Sequence, residues 1–217
     1  MWEFLADPIL QITVRSLQIS GTATLLSAIW SLPLGLAIGM KTFPGRRLVK
    51  GVFNALLGLP TIALGLILYL LFSKSGLLGF LHLFPSLQAI IIGQSILVTP
   101  IIVSLVINAV ESVDPEVKDL AKTLGASDTE ASVAVLRETM GGVLLALIAS
   151  FNRAIAELGV ALAVGANLRG KTQVFTTVIA MEINRGNIEY SIQLTIMLLA
   201  IVFSITIAAD LLRRRLE

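Results

Sequence analysis

The chain alternates between long apolar runs and short polar stretches, and five of the runs are long. These runs cover residues 17–40, 51–72, 86–109, 141–164 and 190–212. Each is about as long as a helix needs to cross roughly 30 Å of hydrocarbon. The pattern predicts an all-α membrane protein, a single transmembrane domain over residues 1–217 with five transmembrane helices. An odd number of spans places the two termini on opposite sides of the membrane.

The composition supports this prediction and narrows the class of protein. Apolar residues make up 56% of the chain and charged residues only 14%, with a mean hydropathy of +0.91, which is outside the range of soluble domains. The absence of cysteine excludes disulfides and thiolate metal sites. Basic residues do not cluster with aromatic ones on a polar stretch, so the net charge of +2 does not indicate nucleic-acid binding.

The distribution of Lys and Arg predicts the orientation, because short loops rich in these residues stay in the cytoplasm. Ten of the sixteen basic residues lie after the first span, between the third and fourth spans, or at the C-terminus. They are Lys41, Arg46, Arg47, Lys50, Lys118, Lys122, Arg137, Arg213, Arg214 and Arg215. The opposite side carries five, spread over a longer total length of loop. We therefore expect the N-terminus outside and the C-terminus in the cytoplasm.

Residues 110–140 form a polar stretch that predicts two short capped helices on the cytoplasmic side. Asp114 suits the N-cap of the first helix, with proline next to it, and Gly125 suits its left-handed C-terminal end. Ser127 and Glu130 have the spacing of a capping box for the second helix. An amphipathic pair of this kind packs either on its own spans or in a partner's groove, and periodicity alone leaves both possibilities open.

The order Asp119-Leu120-Ala121, three residues, Gly125, nine residues, Val135 resembles the coupling loop of bacterial ABC-importer permeases. That loop reads Glu-Ala-Ala, three residues, Gly, nine residues, then Ile-x-Leu-Pro. Leu120 replaces the first alanine, and Arg137-Glu138 stands where Leu-Pro is usual. The resemblance implies that the loop docks in a groove of a separate ATP-binding subunit. The residues implied in this coupling are Glu116, Asp119, Leu120, Ala121, Leu124, Gly125, Ala126, Ser127 and Val135.

The fourth apolar run contains Asn152, Arg153 and Glu157, although a charge at the bilayer centre costs roughly 2.5–3.5 kcal/mol on insertion scales. Arg153 and Glu157 are four residues apart and therefore neighbours on one helical face. Two interpretations follow. The pair serves only to neutralise two buried charges, or Arg153 also contributes positive potential to a path for anions.

Residues 151–177 are similar to the molybdate and tungstate permeases of the ABC class, and residues 58–66 and 124–127 are most similar to the tungstate branch. Asn152 and Ala166 depart from this pattern, because glycine is usual at both positions. The resemblance implies a translocation pathway, whose candidate residues are Pro60, Thr61, Asn152, Arg153, Glu157, Asn167 and Thr172.

The resemblance also implies the function and the partners. The chain would be a homodimeric permease subunit in the inner or plasma membrane of a prokaryote, and not an enzyme. It would bind no cofactor of its own, since ATP and Mg would be bound by a cytoplasmic ATP-binding subunit dimer. An extracytoplasmic binding protein would deliver a tetrahedral oxyanion, tungstate first, with molybdate or sulfate as alternatives. The alternative functions from other classes are a self-contained anion channel or secondary transporter, and a membrane scaffold.

One motif is interpreted as a coincidence. Gly165, Gly170, Lys171 and Thr172 match the phosphate-loop pattern, which requires a preceding strand and access to cytoplasmic nucleotide. Here an apolar run precedes the motif, and the predicted orientation places it outside the cell.

Overall fold

The computed structural model describes residues 8–213, excluding the side chains of Pro115, Lys118, Asp128, Thr129, Leu212 and Arg213. Within this range the chain forms helices and no strand. The helices are α1 (Pro8–Met40), α2 (Arg46–Leu56), α3 (Thr61–Phe72), α4 (Leu87–Glu111), α5 (Pro115–Thr123), α6 (Asp128–Glu138), α7 (Met140–Ile155), α8 (Gly159–Gly165), α9 (Phe175–Asn184) and α10 (Ile188–Arg213). Arg214 and Arg215, used above for the orientation, lie outside the described residues.

Helices α1 and α4 form the central pair of the bundle, and small residues of α1 let them approach closely. A Cβ added at Gly35 would lie 2.9 Å from the Cβ of Val106, and one added at Gly39 would lie 2.8 Å from the Cβ of Val110. Such close approach is typical of helix pairs in membranes. The hydrophobic effect does not drive helices together there, and small residues let the two backbones pack closely instead. The interior of the bundle is therefore built on the α1–α4 contact.

Three helices, α1, α4 and α10, are long and apolar enough to cross a membrane. Two pairs of helices satisfy the same criterion only as bent units, α2 with α3 at 93° and α6 with α7 at 51°, so the described residues hold three to five candidate spans. These criteria rest on length and composition alone. The predicted spans 17–40, 86–109 and 190–212 thus correspond to α1, α4 and α10.

The other two apolar runs are divided rather than continuous. Residues 57–60 separate α2 from α3, where Pro60 has an extended backbone and cannot donate a helical hydrogen bond. Residues 156–158 separate α7 from α8 within the predicted span 141–164. We name these two segments the first break (57–60) and the second break (156–158).

The largest buried cluster joins α3, α4 and α8. Its members include Leu64, Leu68, Ile90 and Val160, which are all less than a tenth exposed. Burial of apolar side chains here holds the short helix α8 against α3 and α4, although seven residues alone would not form a stable helix. The two breaks are therefore positioned by packing and not by local helix propensity.

Candidate functional site

The first candidate site is the helix pair α5–α6. The Asp114 carboxylate accepts a hydrogen bond from the backbone N–H of Glu116 at 2.9 Å, as expected of an N-cap. Gly125 has φ +91°, and the N–H of Ala126 donates to the carbonyl of Ala121 at 3.0 Å. This six-to-one bond is the Schellman ending, which needs the left-handed residue that glycine supplies.

The second helix of the pair begins with the predicted capping box. The backbone N–H and the hydroxyl of Ser127 both donate to the Glu130 carboxylate at 2.8 Å, and the N–H of Glu130 donates to the Ser127 hydroxyl at 3.3 Å. These bonds to the charged form lower the pKa of the Glu130 carboxyl below its ordinary value. Both turns of the loop are thus fixed by their own side chains and backbone.

The pair α5–α6 has an outer apolar surface and an inner one. Leu120 and Leu124 of the first helix are 61% and 80% exposed, which is unusual for leucine in an ordered helix pair. Ala131 and Val135 of the second helix are buried, since they are four residues apart and share one face. Of the other predicted coupling residues, Glu116, Asp119, Gly125 and Ser127 are exposed, whereas Ala121 and Ala126 are half-buried.

The exposed pair Leu120–Leu124 is what a docking surface requires, whereas Val135 contributes from the inner face. The periodicity of α6 determines this difference, because Val135 lies one turn after the buried Ala131. The Val135 side chain is therefore buried, and it does not lie on the exposed surface that carries Leu120. Docking of this surface on a partner is a prediction.

The second candidate site is where the two breaks meet. A Cβ added at Gly159 would lie 2.6 Å from the Thr61 hydroxyl oxygen and 2.9 Å from the backbone nitrogen of Ile62. A Cβ added at Gly65 would lie 3.0 Å from the Gly159 carbonyl oxygen. Two glycines therefore allow the first turn of α3 to contact the first turn of α8 directly. Pro60 and Thr61 are brought beside the segment that carries Glu157, almost one hundred residues later in the chain.

Arg153 and Glu157 form the ion pair that their spacing predicts. The Arg153 guanidinium donates to the Glu157 carboxylate at 2.6 Å, and the two side chains are 39% and 2% exposed. The second carboxylate oxygen of Glu157 accepts from the N–H of Val160 at 3.0 Å, and so caps α8. The Thr176 hydroxyl donates to the Glu157 carbonyl at 2.7 Å. Glu157 is thus held on three sides, while part of Arg153 stays open to the surroundings.

The start of α3 adds positive potential to the same region. The N-cap of this helix is Pro60, whose side chain cannot accept a hydrogen bond, and the N–H groups of the first turn, beginning at Thr61, have no acceptor within the helix. Aligned peptide dipoles give such a helix end a partial positive charge. The partly exposed guanidinium of Arg153 is a second source of positive potential, and the Glu157 carboxylate offsets part of its charge.

Asn152 lies on the same turn of α7 as Arg153 and faces another helix. Its amide nitrogen donates to the Thr206 hydroxyl of α10 at 2.9 Å, and its buried amide oxygen has no partner among the described residues. A buried amide oxygen left unpaired costs free energy unless an unseen group satisfies it. Asn152 therefore links α7 to α10 close to the second break, and its amide oxygen remains available as a hydrogen-bond acceptor.

Asn167 and Thr172 lie apart from the other predicted pathway residues, in the loop after α8. The Thr172 hydroxyl donates to the Gly165 carbonyl and accepts from the N–H of Leu168 at 2.8 Å, so it organises this loop. Asn167 has φ +48°, and its amide nitrogen lies 3.3 Å from the sulfur of Met181. The helix α8 precedes the phosphate-loop match, where a nucleotide-binding loop requires a strand.

Sequence reasoning missed two residues of the break site. Gly159 has a signal that could have identified it, since a glycine two residues after a charged position in an apolar run indicates a close contact. Thr206 has no such signal, because its partner Asn152 lies 54 positions earlier on another helix. The contact depends on how α7 and α10 pack, which no local pattern encodes.

Comparison with known proteins agrees with this architecture. Residues 31–217 match the family described as "Binding-protein-dependent transport system inner membrane component". A probable anion ABC transporter permease of Haloferax volcanii is 38% identical and covers 91% of this chain and 87% of the relative. The tungstate uptake system permease TupB of Peptoclostridium acidaminophilum is 34% identical over 92% of this chain and 88% of its own length.

A solved structure shows the same fold. The inward-facing MetNI methionine ABC transporter superposes over the whole of both chains with a TM-score of 0.80 at 19% identity. At that identity the likeness concerns the fold alone, and the sequence relatives carry the family assignment. With this fold, a family match over most of the chain and two relatives above 30% identity, the chain belongs to the inner-membrane permease subunits of binding-protein-dependent ABC importers.

Proposed function

We propose that the chain is the permease of an ATP-driven importer for a tetrahedral oxyanion, with tungstate as its substrate. The names of its relatives support this substrate, since one is a tungstate permease and another a probable anion permease. Molybdate and sulfate are the alternatives of the same geometry and charge. Discrimination among them would reside mainly in the binding protein, so competition experiments are needed to rank the three anions.

The observation that carries the proposal is the meeting of the two breaks beside Arg153 and Glu157. Broken helices at membrane depth are tolerated where they line a cavity, and their positive ends suit an anionic substrate. An oxyanion needs donors and a modest positive potential, but binding that is too strong would prevent its release. Glu157 offsets most of the charge of Arg153, and this balance fits a path rather than a trap.

Two copies of the chain would enclose the path. In one copy the break region is open on one side, where Ile62, Leu66, Leu158 and Leu162 are all more than a third exposed. An apolar surface that adjoins polar groups is typical of an interface between subunits. We place the two-fold axis of the homodimer near this surface, so that each copy contributes one Arg153–Glu157 pair to the path.

The helix pair α5–α6 would couple the permease to ATP. Leu120 and Leu124 would enter a groove of the cytoplasmic ATP-binding subunit, which binds ATP and Mg and hydrolyses the nucleotide. Closure of the two ATP-binding subunits would move the coupling loops and open the path outward, and hydrolysis would return it inward. With the coupling loop in the cytoplasm, the N-terminus lies outside, and the binding protein docks on that outer side.

Uptake by cells tests the proposal and its rivals. Deletion of the gene should abolish accumulation of radiolabelled tungstate at low concentration, and a plasmid copy should restore it. Unlabelled molybdate and sulfate added in excess rank the three anions. Uptake that persists in the deletion strain, although the native protein binds its soluble partner normally, would favour a scaffold. Uptake that continues when cellular ATP is exhausted but the membrane potential is maintained would favour a channel or secondary transporter.

A further inference from the structure

Glu111, the last residue of α4, lies at the root of the coupling loop, three residues before the N-cap Asp114. Its carboxylate accepts hydrogen bonds from the Arg46 guanidinium at 2.7 Å and from the Lys50 ammonium at 2.6 and 2.8 Å. Both basic residues belong to the first half of α2. One carboxylate thus ties the entry of the coupling loop to the start of α2.

Arg46 extends this connection to α1. Its guanidinium also donates to the carbonyl oxygens of Ile38 and Gly39, each at 2.8 Å. These carbonyls belong to the last turn of α1, where a helix leaves its acceptors unsatisfied. The ends of α1 and α4 and the beginning of α2 are therefore joined by a single cluster of three charged side chains.

A cavity of about 550 Å³ adjoins the cluster. It is lined by Met40 at the end of α1, by Arg46 and Glu111, and by Asp119 and Val135 of the helix pair. The helices α5 and α6 pack chiefly on each other, and α6 also contacts α7. The helix α7 in turn packs on α1 and α4. The Glu111 cluster adds a polar connection at the entry of the coupling loop, because it joins the ends of α1 and α4 to the beginning of α2.

The helix α2 leads from this cluster to the first break. Residues 57–60 follow α2, and the first turn of α3 then contacts Gly159 beside the Arg153–Glu157 pair. A displacement of Glu111 would be carried along α2 to the place where the two breaks meet. This chain of contacts links the coupling loop to the candidate pathway through elements that are all described in the structure.

We propose that Glu111, with Arg46 and Lys50, is a positioning cluster that transmits the movement of the coupling loop to α1 and α2. The inference rests on the proposed function, because it assumes that α5–α6 docks on an ATP-binding subunit. None of the three residues is assigned a contact with nucleotide or oxyanion. Their role is to keep two helices in register with the loop, which makes ATP hydrolysis and transport coincide.

Glu111→Gln tests the cluster because it removes the charge and keeps the size of the side chain. The Glu111, Arg46 and Lys50 side chains are 32%, 24% and 27% exposed, and ion pairs of this exposure contribute little to folding. We expect the variant to co-purify with its partner subunits from host membranes and to retain ATPase activity. The amount of tungstate transported per ATP hydrolysed should fall about five-fold or more, the lower end of typical coupling between sites.

Glu138→Gln is the matched control, since it removes another exposed carboxylate from the same cytoplasmic region. It should leave the transport-to-hydrolysis ratio near that of the native complex. An unchanged ratio in Glu111→Gln, or an equal fall in both variants, would overturn the inference. A native complex that transports no tungstate with ATP would instead mean that the proposed function is wrong.

A second experiment does not depend on comparing separately folded variants. The native chain has no cysteine, so Lys50→Cys together with Glu111→Cys creates a pair that a short bifunctional thiol reagent can bridge. The ratio should be low before cross-linking and should rise after it in the same assembled sample. The same reagent applied to the native complex is the control, because any effect there comes from reaction with the partner subunits. A ratio that stays unchanged on cross-linking would contradict a positioning role.

Discussion

Neutralising Arg153 and Glu157 separates a structural role of this pair from a role in transport. Arg153→Gln alone leaves the Glu157 carboxylate 2% exposed, with the N–H of Val160 at 3.0 Å as its remaining hydrogen bond. Breaking a buried pair by removing one partner typically costs about 3–5 kcal/mol. Because 39% of the Arg153 side chain is exposed, we expect the lower end, about 3 kcal/mol. Such a loss would lower the amount of assembled protein as well as the uptake.

The double variant, with Glu157→Gln added, removes the uncompensated charge. The amide oxygen of the new glutamine can still accept from the N–H of Val160, so the cap of α8 is kept and the cost falls to about 1 kcal/mol. Assembly should therefore return to near the native level. If Arg153 serves the oxyanion, uptake should remain roughly ten-fold or more below native, as expected for one lost charge-assisted contact.

The assay is the initial rate of radiolabelled tungstate uptake, divided by the amount of assembled complex in the membrane. The ion pair of Arg185 with Glu182 provides a matched control, since it has a 2.9 Å contact and its members lie about 9 and 14 Å along the axis of α9 from Thr176. Neutralising both of its members should leave the uptake rate near native. Native uptake by the Arg153 and Glu157 double variant would refute a role in the path and leave the pair as packing.

Three further changes address the loop, the orientation and the contact between the breaks. Gly125→Val places a β-branched residue at φ +91°, costs about 1–2 kcal/mol and should reduce ATPase stimulation in the complex. Single cysteines at Ser75 and Ser127 test the orientation, and an impermeant thiol reagent on intact cells should label only the first. Gly159→Ala forces a methyl group to 2.6 Å from a hydroxyl of α3, so it should lower the free energy of unfolding by about 1–3 kcal/mol and reduce the amount of assembled protein.

Each change has a control or a contradicting result. Gly186→Val is the control for Gly125→Val, because it also places valine at a left-handed helix end, with φ +79° and open space around the added Cβ. It should leave ATPase stimulation unchanged. Equal stimulation by the native protein and Gly125→Val would remove the loop from coupling. Labelling at position 127 without labelling at 75 would reverse the orientation. Gly51→Ala, which meets open space, should be silent beside Gly159→Ala, and equal behaviour of the two would contradict the close contact.

The features that the sequence predicts well are local. The caps of α5 and α6 follow from residue types within four positions, and the structure forms the expected bonds at Asp114, Gly125 and Ser127. Three of the five apolar runs, 17–40, 86–109 and 190–212, lie within the long helices α1, α4 and α10, since length and hydropathy suffice to indicate a long helix in a membrane. The ion pair of Arg153 and Glu157 follows from their spacing.

The features that were not predicted depend on packing between distant segments. The contact of Thr61 with Gly159 needs two glycines and two helix breaks to coincide in space, and apolar runs give no register for that. Glu111 carries no local signal, because its partners Arg46 and Lys50 lie 65 and 61 positions earlier on another helix. The motif register groups Val135 with the coupling residues, and the burial of its side chain on the inner face of α6 depends on how the helix pair packs.

ATP-driven tungstate transport by the complex in proteoliposomes tests the central claim most directly. The complex of this chain with its ATP-binding subunit, reconstituted with the nucleotide sites facing outward, should export trapped radiolabelled tungstate when binding protein is enclosed with it and ATP is added outside. Export should stop when a non-hydrolysable ATP analogue replaces ATP, or when the enclosed binding protein is omitted. Tungstate flux of equal rate through this chain alone, without ATP or partners, would contradict the account.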